Sequence, residues 1–309
     1  MGSGAATGRS VRPGSWRHNR DFFFKYTAPD TALKILEAQC LRWSSPRVFN
    51  DPFDMKYDLA LRIDREKIRT QALDRMWHSF YSADPIALPN SFGRLINASR
   101  SRFPKLTRSE FEQEFSEVVE EYCRKVHISV SELNGRIRIA MKGSKVFCLS
   151  DRHDNVLMWS HYAQSHEGAV FKLACIPERD SVWGSAMPVR YADDVPPFAD
   201  DELLIGILSG ESSLSQRDIL DTFVTTKSKA WEYEREWRVV LHFTDPAKNT
   251  QDIPFWPEEV TAVYLGCRMP AEQKEKIAAK LRMDYPHAEI LEAVKKNDQF
   301  SLEFRKFRF

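Results

Sequence analysis

Runs of apolar residues divide the chain into strand-like and helix-like stretches. The aromatic run at 22–26 predicts a short strand, and residues 29–40 then place apolar side chains at helical spacing, with Asp30 or Thr31 as the cap of the helix. Residues 41–43 predict a second strand, which Ser44-Ser45-Pro46 ends. The chain therefore begins with a strand, a helix, a strand and a turn.

The remainder alternates between a helical block and a strand-rich half. Residues 62–142 carry apolar positions three and four apart among many charges, which predicts helices. From residue 146 onward strands predominate, without the regular strand–helix–strand alternation of a parallel sheet. We therefore predict an α+β fold with a mainly antiparallel, split β-sheet. It forms a single domain over residues 21–309, with a helical insertion at about 62–142.

Composition excludes several classes of protein. The 45 basic and 44 acidic residues leave a net charge of +1, so no whole-protein field attracts nucleic acid or an anionic membrane. Apolar runs are too short for a spanning helix, and residues 1–20, without a signal peptide's apolar stretch, are predicted to be a disordered tail. The five cysteines lack CxxC spacing and are expected to be free thiols in a reducing cytoplasm.

Residues that a folding core does not need concentrate in three patches. The first runs from Phe24 to Asp54, the second covers residues 148–162, and the third covers residues 231–238. Each joins an apolar, strand-like run to polar and aromatic side chains. Their concentration predicts that the three patches meet in one composite pocket.

The third patch carries the strongest candidate chemistry. Period-2 alternation puts Glu234, Glu236 and Arg238 on one face of a strand, either as cross-strand ion pairs or as a reactive row of charges. In the second patch His161 and Tyr162 offer an imidazole and a phenol within one helical turn, and either can be structural.

Familiar catalytic motifs are missing from the sequence. It contains no glycine-rich phosphate loop, no HExxH metal motif and no GxSxG nucleophile elbow. Residues 50–52, Asn-Asp-Pro, fit a turn on their chemistry alone. These observations argue against a Rossmann or P-loop enzyme.

In these patches the chain resembles a widespread bacterial family of domains of unknown function. Its pattern combines FNDPF[DE], MWxHYA and WxYExE[WY]R, which correspond here to residues 49–54, 158–163 and 231–238. The motifs span about residues 22–243 of the chain. The resemblance implies a family but no activity.

The order of the elements is also distantly similar to that of NAD-dependent ADP-ribosyltransferases, whose split antiparallel sheet the resemblance implies here. It implies Glu236, Glu234, Tyr162 and His161 as catalytic residues, with Glu236 stabilising the oxocarbenium-like charge that forms when NAD loses nicotinamide. The NAD-binding residues that it implies are Lys25, Tyr26, Trp43, Asn50, Ser150 and Arg238. Lys25 or Arg238 would bind the pyrophosphate, and Tyr26, Trp43 or Tyr162 would stack on the nicotinamide.

This resemblance predicts ADP-ribosyl transfer from NAD to a macromolecular acceptor, either nucleic acid or protein. It also suggests a bacterial toxin or phage-defence effector with an antitoxin or defence partner, and no membrane. Two alternatives stay open. One is a metal-dependent nuclease or phosphoesterase using Asp51, Asp54, Glu234 and Glu236 around Mg²⁺. The other is a non-catalytic module that senses a nucleotide or binds a partner.

Overall fold

The structure is a computed structural model that describes residues 12–87, 90–103 and 105–308. The helices and strands of these residues follow. In chain order they are β1 (Phe22–Thr27), α1 (Pro29–Ala38), β2 (Cys40–Ser44), α2 (Arg65–Tyr81), α3 (Ser91–Arg102), α4 (Arg108–Lys142), β3 (Lys145–Ser150), α5 (Val156–Tyr162), β4 (Ala169–Ala174), β5 (Met187–Pro188), β6 (Arg190–Ala192), α6 (Asp201–Leu208), α7 (Gln216–Thr225), β7 (Thr226–Ser228), β8 (Glu236–Leu241), β9 (Thr250–Pro254), β10 (Val260–Leu265), α8 (Ala271–Asp284), β11 (Glu289–Lys295) and β12 (Leu302–Lys306).

Most of these strands belong to one large sheet with the order β12-β11-β10-β4-β1-β3-β2-β9. Strand β8 pairs with β3 along its whole length and also with β5, while β6 and β7 form a small separate sheet. Among the registered pairs of described strands, β10 with β11 is parallel and the others are antiparallel. The predicted α+β class with a mainly antiparallel sheet is therefore confirmed.

Helix α1 covers one face of this sheet together with α8. Its buried residues Ile35 and Leu36 enter the core cluster that also contains Phe23, Phe171 and Leu281. The helix starts at Pro29, which suits the first turn because proline has no N–H to leave unbonded. The predicted cap at Asp30 or Thr31 is wrong, since Ala28 occupies the cap position without a side-chain hydrogen bond.

The contacts divide the described chain into two compact units. The first contains the described residues up to Asp54, then Met141–Asp193 and the chain from Lys227 onward. The second contains Met55–Ala140 and Asp194–Thr226. The sequence pattern did not predict these two units, and it did not group the segment Asp194–Thr226 with the helical block. That segment joins it because Leu204 and Ile205 of α6 pack into the same core as Ile68 and Ala72 of α2.

The predicted disordered tail covered residues 1–20. Residues 1–11 lie outside the described part of the chain, but the rest of the predicted tail makes defined contacts with the first unit. The backbone N–H of Arg17 donates to the carbonyl of Gly184 at 2.8 Å, and the His18 ring lies 2.8 Å from the carbonyl of Trp183. Trp16 packs against the core. The prediction is therefore wrong for residues 12–20, because Trp16 and His18 contact the first unit.

Candidate active site

Side chains from all three patches line one cavity in the first unit, with a volume of about 430 Å³. They include Lys25, Tyr26, Asn50, Asp54, Cys148, Ser150, His161, Tyr162, Glu234 and Glu236, joined by Lys227. This size is typical of small-ligand sites in proteins. The three patches therefore meet in one cavity, as the sequence predicted.

Strand register brings distant residues to this cavity. Ser150 of β3 lies opposite Phe24 of β1 and also opposite Glu236 of β8. Two residues further back, Cys148 lies opposite Arg238. Directly opposed side chains in antiparallel strands are close neighbours. The central strand β3 thus aligns the lysine-bearing strand with the glutamate-bearing one.

Glu236 is the anchor of a buried charge cluster. Arg238 donates two hydrogen bonds to its carboxylate, at 2.8 and 2.9 Å, and Lys227 donates a third at 2.9 Å. Arg238 also donates to Asp54 at 2.7 Å. These side chains are all almost completely buried, and Arg238 is 0% exposed. The geometry holds Glu236 fixed on the cavity wall.

Glu234 reaches the same cluster by a different route from the one that the sequence predicted. It does not lie on the strand with Glu236 and Arg238, but ends a 3₁₀ helix at Lys229–Glu234. Arg235 follows in the left-handed region at φ 46°, which turns the chain into β8. The Glu234 carboxylate accepts hydrogen bonds from Lys227 and, at 2.5 Å, from the Tyr162 hydroxyl. The predicted shared strand face is correct for Glu236 and Arg238 only.

The acidic groups of the cluster have opposite shifts in pKa. Burial would raise the pKa of Glu236, but the charges of Arg238 and Lys227 outweigh it and hold that pKa far below its usual range. Burial raises the pKa of Glu234, and the neighbouring charge of Glu236 raises it further. Burial also raises the pKa of Asp54. Glu236 is therefore the permanent anion, and Glu234 is the group suited to exchanging a proton.

Helix α5 supplies Tyr162 and His161. Asn155 caps the helix by accepting from the N–H groups of Leu157 and Met158, and its amide donates to the carbonyl of Tyr233 at 2.7 Å. The cap therefore ties α5 to the segment that carries Glu234. His161 shares a 2.9 Å hydrogen bond with the Tyr233 hydroxyl.

The β1 and β3 residues shape the opposite part of the cavity. Lys25 donates to the carbonyl of Cys148 at 2.9 Å and lies 4.5 Å from the centre of the Phe147 ring. The Ser150 hydroxyl donates to the carbonyl of Glu234 at 2.7 Å, so Ser150 fixes the turn before the glutamate strand. The Tyr26 hydroxyl donates to the carbonyl of Arg152 at 3.0 Å.

Two predicted cavity residues have different surroundings. Trp43 is 0% exposed and stacks on Phe147 inside the core, so its ring belongs to the packing of the sheet. Arg238 is fully buried and already paired with Asp54 and Glu236, which directs its donors to carboxylates rather than to a pyrophosphate. Asn50 lines the cavity as predicted.

Sequence reasoning missed Lys227, which contacts Glu234, Glu236 and Asp54. These three carboxylates raise the pKa of Lys227 despite its burial. A signal was available, because two carboxylates entering an apolar strand require nearby cations. Cys148 also lines the cavity and was missed as a site residue; burial and the charge of Glu236 raise the pKa of its thiol.

Three of the four acidic residues in the metal alternative contact protein cations. Asp54, Glu234 and Glu236 all contact Lys227, and the Asp51 carboxylate accepts from the N–H of Phe53 at 2.8 Å in a turn. Within the residues that the structure describes, no group of three or more His, Cys, Asp or Glu side chains is arranged to hold a metal ion. Lysine and arginine thus occupy the positions around these carboxylates that a divalent cation would need.

Comparison with known families gives a match for part of the chain. Residues 158–239 match the family described as "Protein of unknown function (DUF2971)". The match runs from Met158 of α5 to Val239 of β8 and so includes Tyr162, Lys227 and both glutamates. It fits the family of unknown function that the motifs suggested. Comparison with curated proteins and with solved structures gives no match.

None of the helices in residues 12–87, 90–103 and 105–308 combines the length and the apolar character needed to cross a bilayer.

Proposed function

We propose that the cavity binds NAD and transfers its ADP-ribosyl group to a macromolecular acceptor. One observation carries the proposal: Glu236 lines the cavity as a carboxylate that Arg238 and Lys227 hold ionised and immobile. Glu236 thus presents a fixed negative charge to the cavity, beside Asp54 and Glu234, which contact the same cations. Such a site favours a reaction that develops positive charge.

Loss of nicotinamide from NAD develops that charge. The bond between the nicotinamide nitrogen and ribose C1′ breaks, and its electron pair leaves with the neutral nicotinamide. The ribose then carries oxocarbenium-like positive charge, which Glu236 would stabilise from a fixed position. A nucleophilic oxygen or nitrogen of the acceptor bonds to C1′ and loses its proton.

Glu234 is the proposed acceptor of that proton. Its raised pKa makes it a better base than an ordinary carboxylate, and it already accepts a hydrogen bond from the Tyr162 hydroxyl. The proton would pass from the nucleophile to Glu234 and then to solvent. Glu236 cannot take this role, because its pKa is held far below neutral pH.

The remaining cavity residues would orient NAD. The Lys25 ammonium has three donors and uses one of them on the carbonyl of Cys148, so it can also bind the pyrophosphate. Tyr162 and Tyr26 offer aromatic surface beside the nicotinamide. Asn50 would hydrogen-bond the ligand from the cavity mouth.

The biological role that we attach to this reaction is that of a cytoplasmic bacterial toxin or antiviral effector. Uncontrolled transfer of ADP-ribose would damage the host, so the proposal includes an antitoxin or defence partner protein. The acceptor would be nucleic acid or protein.

The test is incubation of the folded protein with NAD labelled on its adenylate, in the presence of a cell lysate. We expect label in macromolecules, together with release of free nicotinamide. Glu236→Gln should abolish most of the transfer, whereas Glu275→Gln, on the exposed surface of α8, should leave it intact. The reaction would be refuted if the folded protein produced neither labelled macromolecules nor free nicotinamide. Saturable NAD binding without turnover would favour the nucleotide-sensing module.

A further inference from the structure

A second cavity lies beside the tip of the hairpin formed by β11 and β12. Its volume is about 670 Å³, and we call it the hairpin groove. The residues that matter for its chemistry are Val156, Cys267, Arg268, Lys295, Lys296 and Phe300. It belongs to the first unit and shares none of the residues that line the NAD cavity.

The groove is positively charged although the whole chain is nearly neutral. It is lined by Arg268, Lys295 and Lys296, against the single carboxylate of Asp298. The guanidinium of Arg268 is 4.0 Å from Glu167, and the Lys296 ammonium donates to the amide oxygen of Gln299 at 3.4 Å. These long contacts on the surface hold the cations weakly. The groove therefore has positive charge available for an anionic ligand.

An aromatic ring stands beside these cations. Phe300 is 105% exposed, so its side chain makes almost no contact with the rest of the protein. Val156 is also exposed, at 37%, and provides an apolar wall. Edge strands often carry lysines that prevent aggregation, but an exposed phenylalanine at the tip works against that purpose. The ring is therefore available to stack on a ligand with an apolar or aromatic face.

We propose that the hairpin groove binds a single-stranded polynucleotide. Phe300 would stack on a base, while Arg268, Lys295 and Lys296 would neutralise phosphates along the strand. Basic side chains combined with an exposed aromatic platform are the recurrent chemistry of such sites. A duplex fits less well because its bases are already stacked on one another. This proposal does not depend on the reaction proposed for the NAD cavity.

The first test measures the fluorescence anisotropy of labelled oligothymidylate and oligouridylate with the full chain, without NAD. Saturable binding should weaken with salt, with a slope of log K against log salt of about −2, as expected for three phosphate contacts. Phe300→Ala should weaken binding by about 5- to 150-fold, since stacking contributes roughly 1–3 kcal/mol per base. Comparing the two oligomers shows whether the strand bound is DNA or RNA.

Charge variants separate this groove from general attraction. Lys295→Gln with Lys296→Gln should reduce the salt slope to about −0.7, because two phosphate contacts are lost. The matched control is Lys34→Gln with Lys276→Gln, two exposed lysines of α1 and α8, which should bind like the unaltered protein. Equal weakening by both pairs would refute the groove as the site.

A footprint gives an independent readout. Cys267 is a partly exposed free thiol of the groove, and Cys40 is a partly exposed free thiol of β2. Bound oligonucleotide should slow maleimide modification of Cys267 and leave Cys40 unchanged.

The proposal fails if no binding occurs at low salt, or if duplex DNA or anionic vesicles bind equally well and are equally sensitive to Phe300→Ala. Glu236→Gln should bind oligonucleotide normally, so loss of transfer and loss of binding are distinguishable.

Discussion

The Tyr162 hydroxyl donates a hydrogen bond of 2.5 Å to Oε1 of Glu234, across 72 residues of sequence. This contact joins the second and third patches of the sequence. It links helix α5 to Glu234, the last residue of the 3₁₀ helix before β8. It also gives Glu234 a neutral donor in addition to the ammonium of Lys227. The proton affinity of Glu234 is therefore set by burial, by Glu236 and by these two donors.

Tyr162→Phe should change the pH dependence of the reaction. Without the phenol, the ionised Glu234 loses a hydrogen bond, so its pKa should rise above its already raised value. A base with a higher pKa is protonated at higher pH, so the acidic limb of the rate profile should move upward in pH. Nicotinamide release measured from pH 5 to 9 checks this. Tyr233→Phe, which removes a bond to His161, is the control and should leave that limb in place.

Arg238→Met should strongly destabilise the protein. The change keeps the apolar stem but leaves the buried carboxylates of Glu236 and Asp54 without their guanidinium partner. Breaking a buried ion pair in this way typically costs about 3–5 kcal/mol. Urea unfolding should show it as a lower midpoint with a similar slope. Arg42→Met is the matched control, because its pair with Asp252 is exposed and should contribute about 0–1 kcal/mol. Similar losses for both variants would contradict the proposed cluster.

Gly184→Ala should displace Trp16. A Cβ at Gly184 would lie 2.2 Å from the Trp16 ring, so the ring has to move away from its site on the core. Overpacking of this kind commonly costs about 1–3 kcal/mol. The free energies of unfolding of Gly184→Ala, Trp16→Ala and the double variant form a cycle. The losses should be clearly less than additive, because both changes remove the same contact. Additive losses would mean that Trp16 does not pack there in solution.

Local elements were readable from the sequence because they depend on short-range patterns. The strand at Phe22–Thr27, the helix at Pro29–Ala38 and the strand at Val260–Leu265 all follow from aromatic, helical-period or β-branched runs. The order of strands in the sheet was not predicted, because pairing joins residues far apart in sequence. Strands β9 and β12 give little signal in the sequence, because β9 is mostly exposed and has no apolar run, and β12 is a partly exposed edge strand.

The sequence predicted that the three patches meet in one site, but not which side chains face the cavity or which contacts they make. Period-2 alternation could have shown that Trp43 shares a face with the buried Leu41, and that Arg42 points the other way. Arg42 indeed lines the cavity. Helix α7 ends at Thr225, and Lys227 lies in the short strand β7 that follows it. The left-handed Arg235, which redirects Glu234, leaves no recognisable signal in the residue type.

Glu236→Gln tests the centre of the proposal, because glutamine keeps the shape of the side chain and removes its charge. Transfer should fall by about 10²–10³, the usual effect of losing one preorganised electrostatic group. Folding should survive, since the amide can still accept from Arg238 and Lys227. The transfer assay and a circular dichroism spectrum of the same samples check both expectations. Full activity in this variant would remove Glu236 from the mechanism.

The same variant should reveal the low pKa of Glu236 through stability. The folded-state pKa lies below the usual value of 4.5, so the ionised carboxylate contributes stability that is fully present above pH 4.5 and is lost as the pH falls. Glutamine does not titrate. The difference in unfolding free energy between the unaltered protein and Glu236→Gln should therefore be constant from about pH 6 to 8 and shrink steadily below pH 4.5. Urea titrations at each pH measure it. A difference that stays constant down to pH 3 would mean that Arg238 and Lys227 do not hold Glu236 ionised, and the electrostatic basis of the proposed reaction would fail with it.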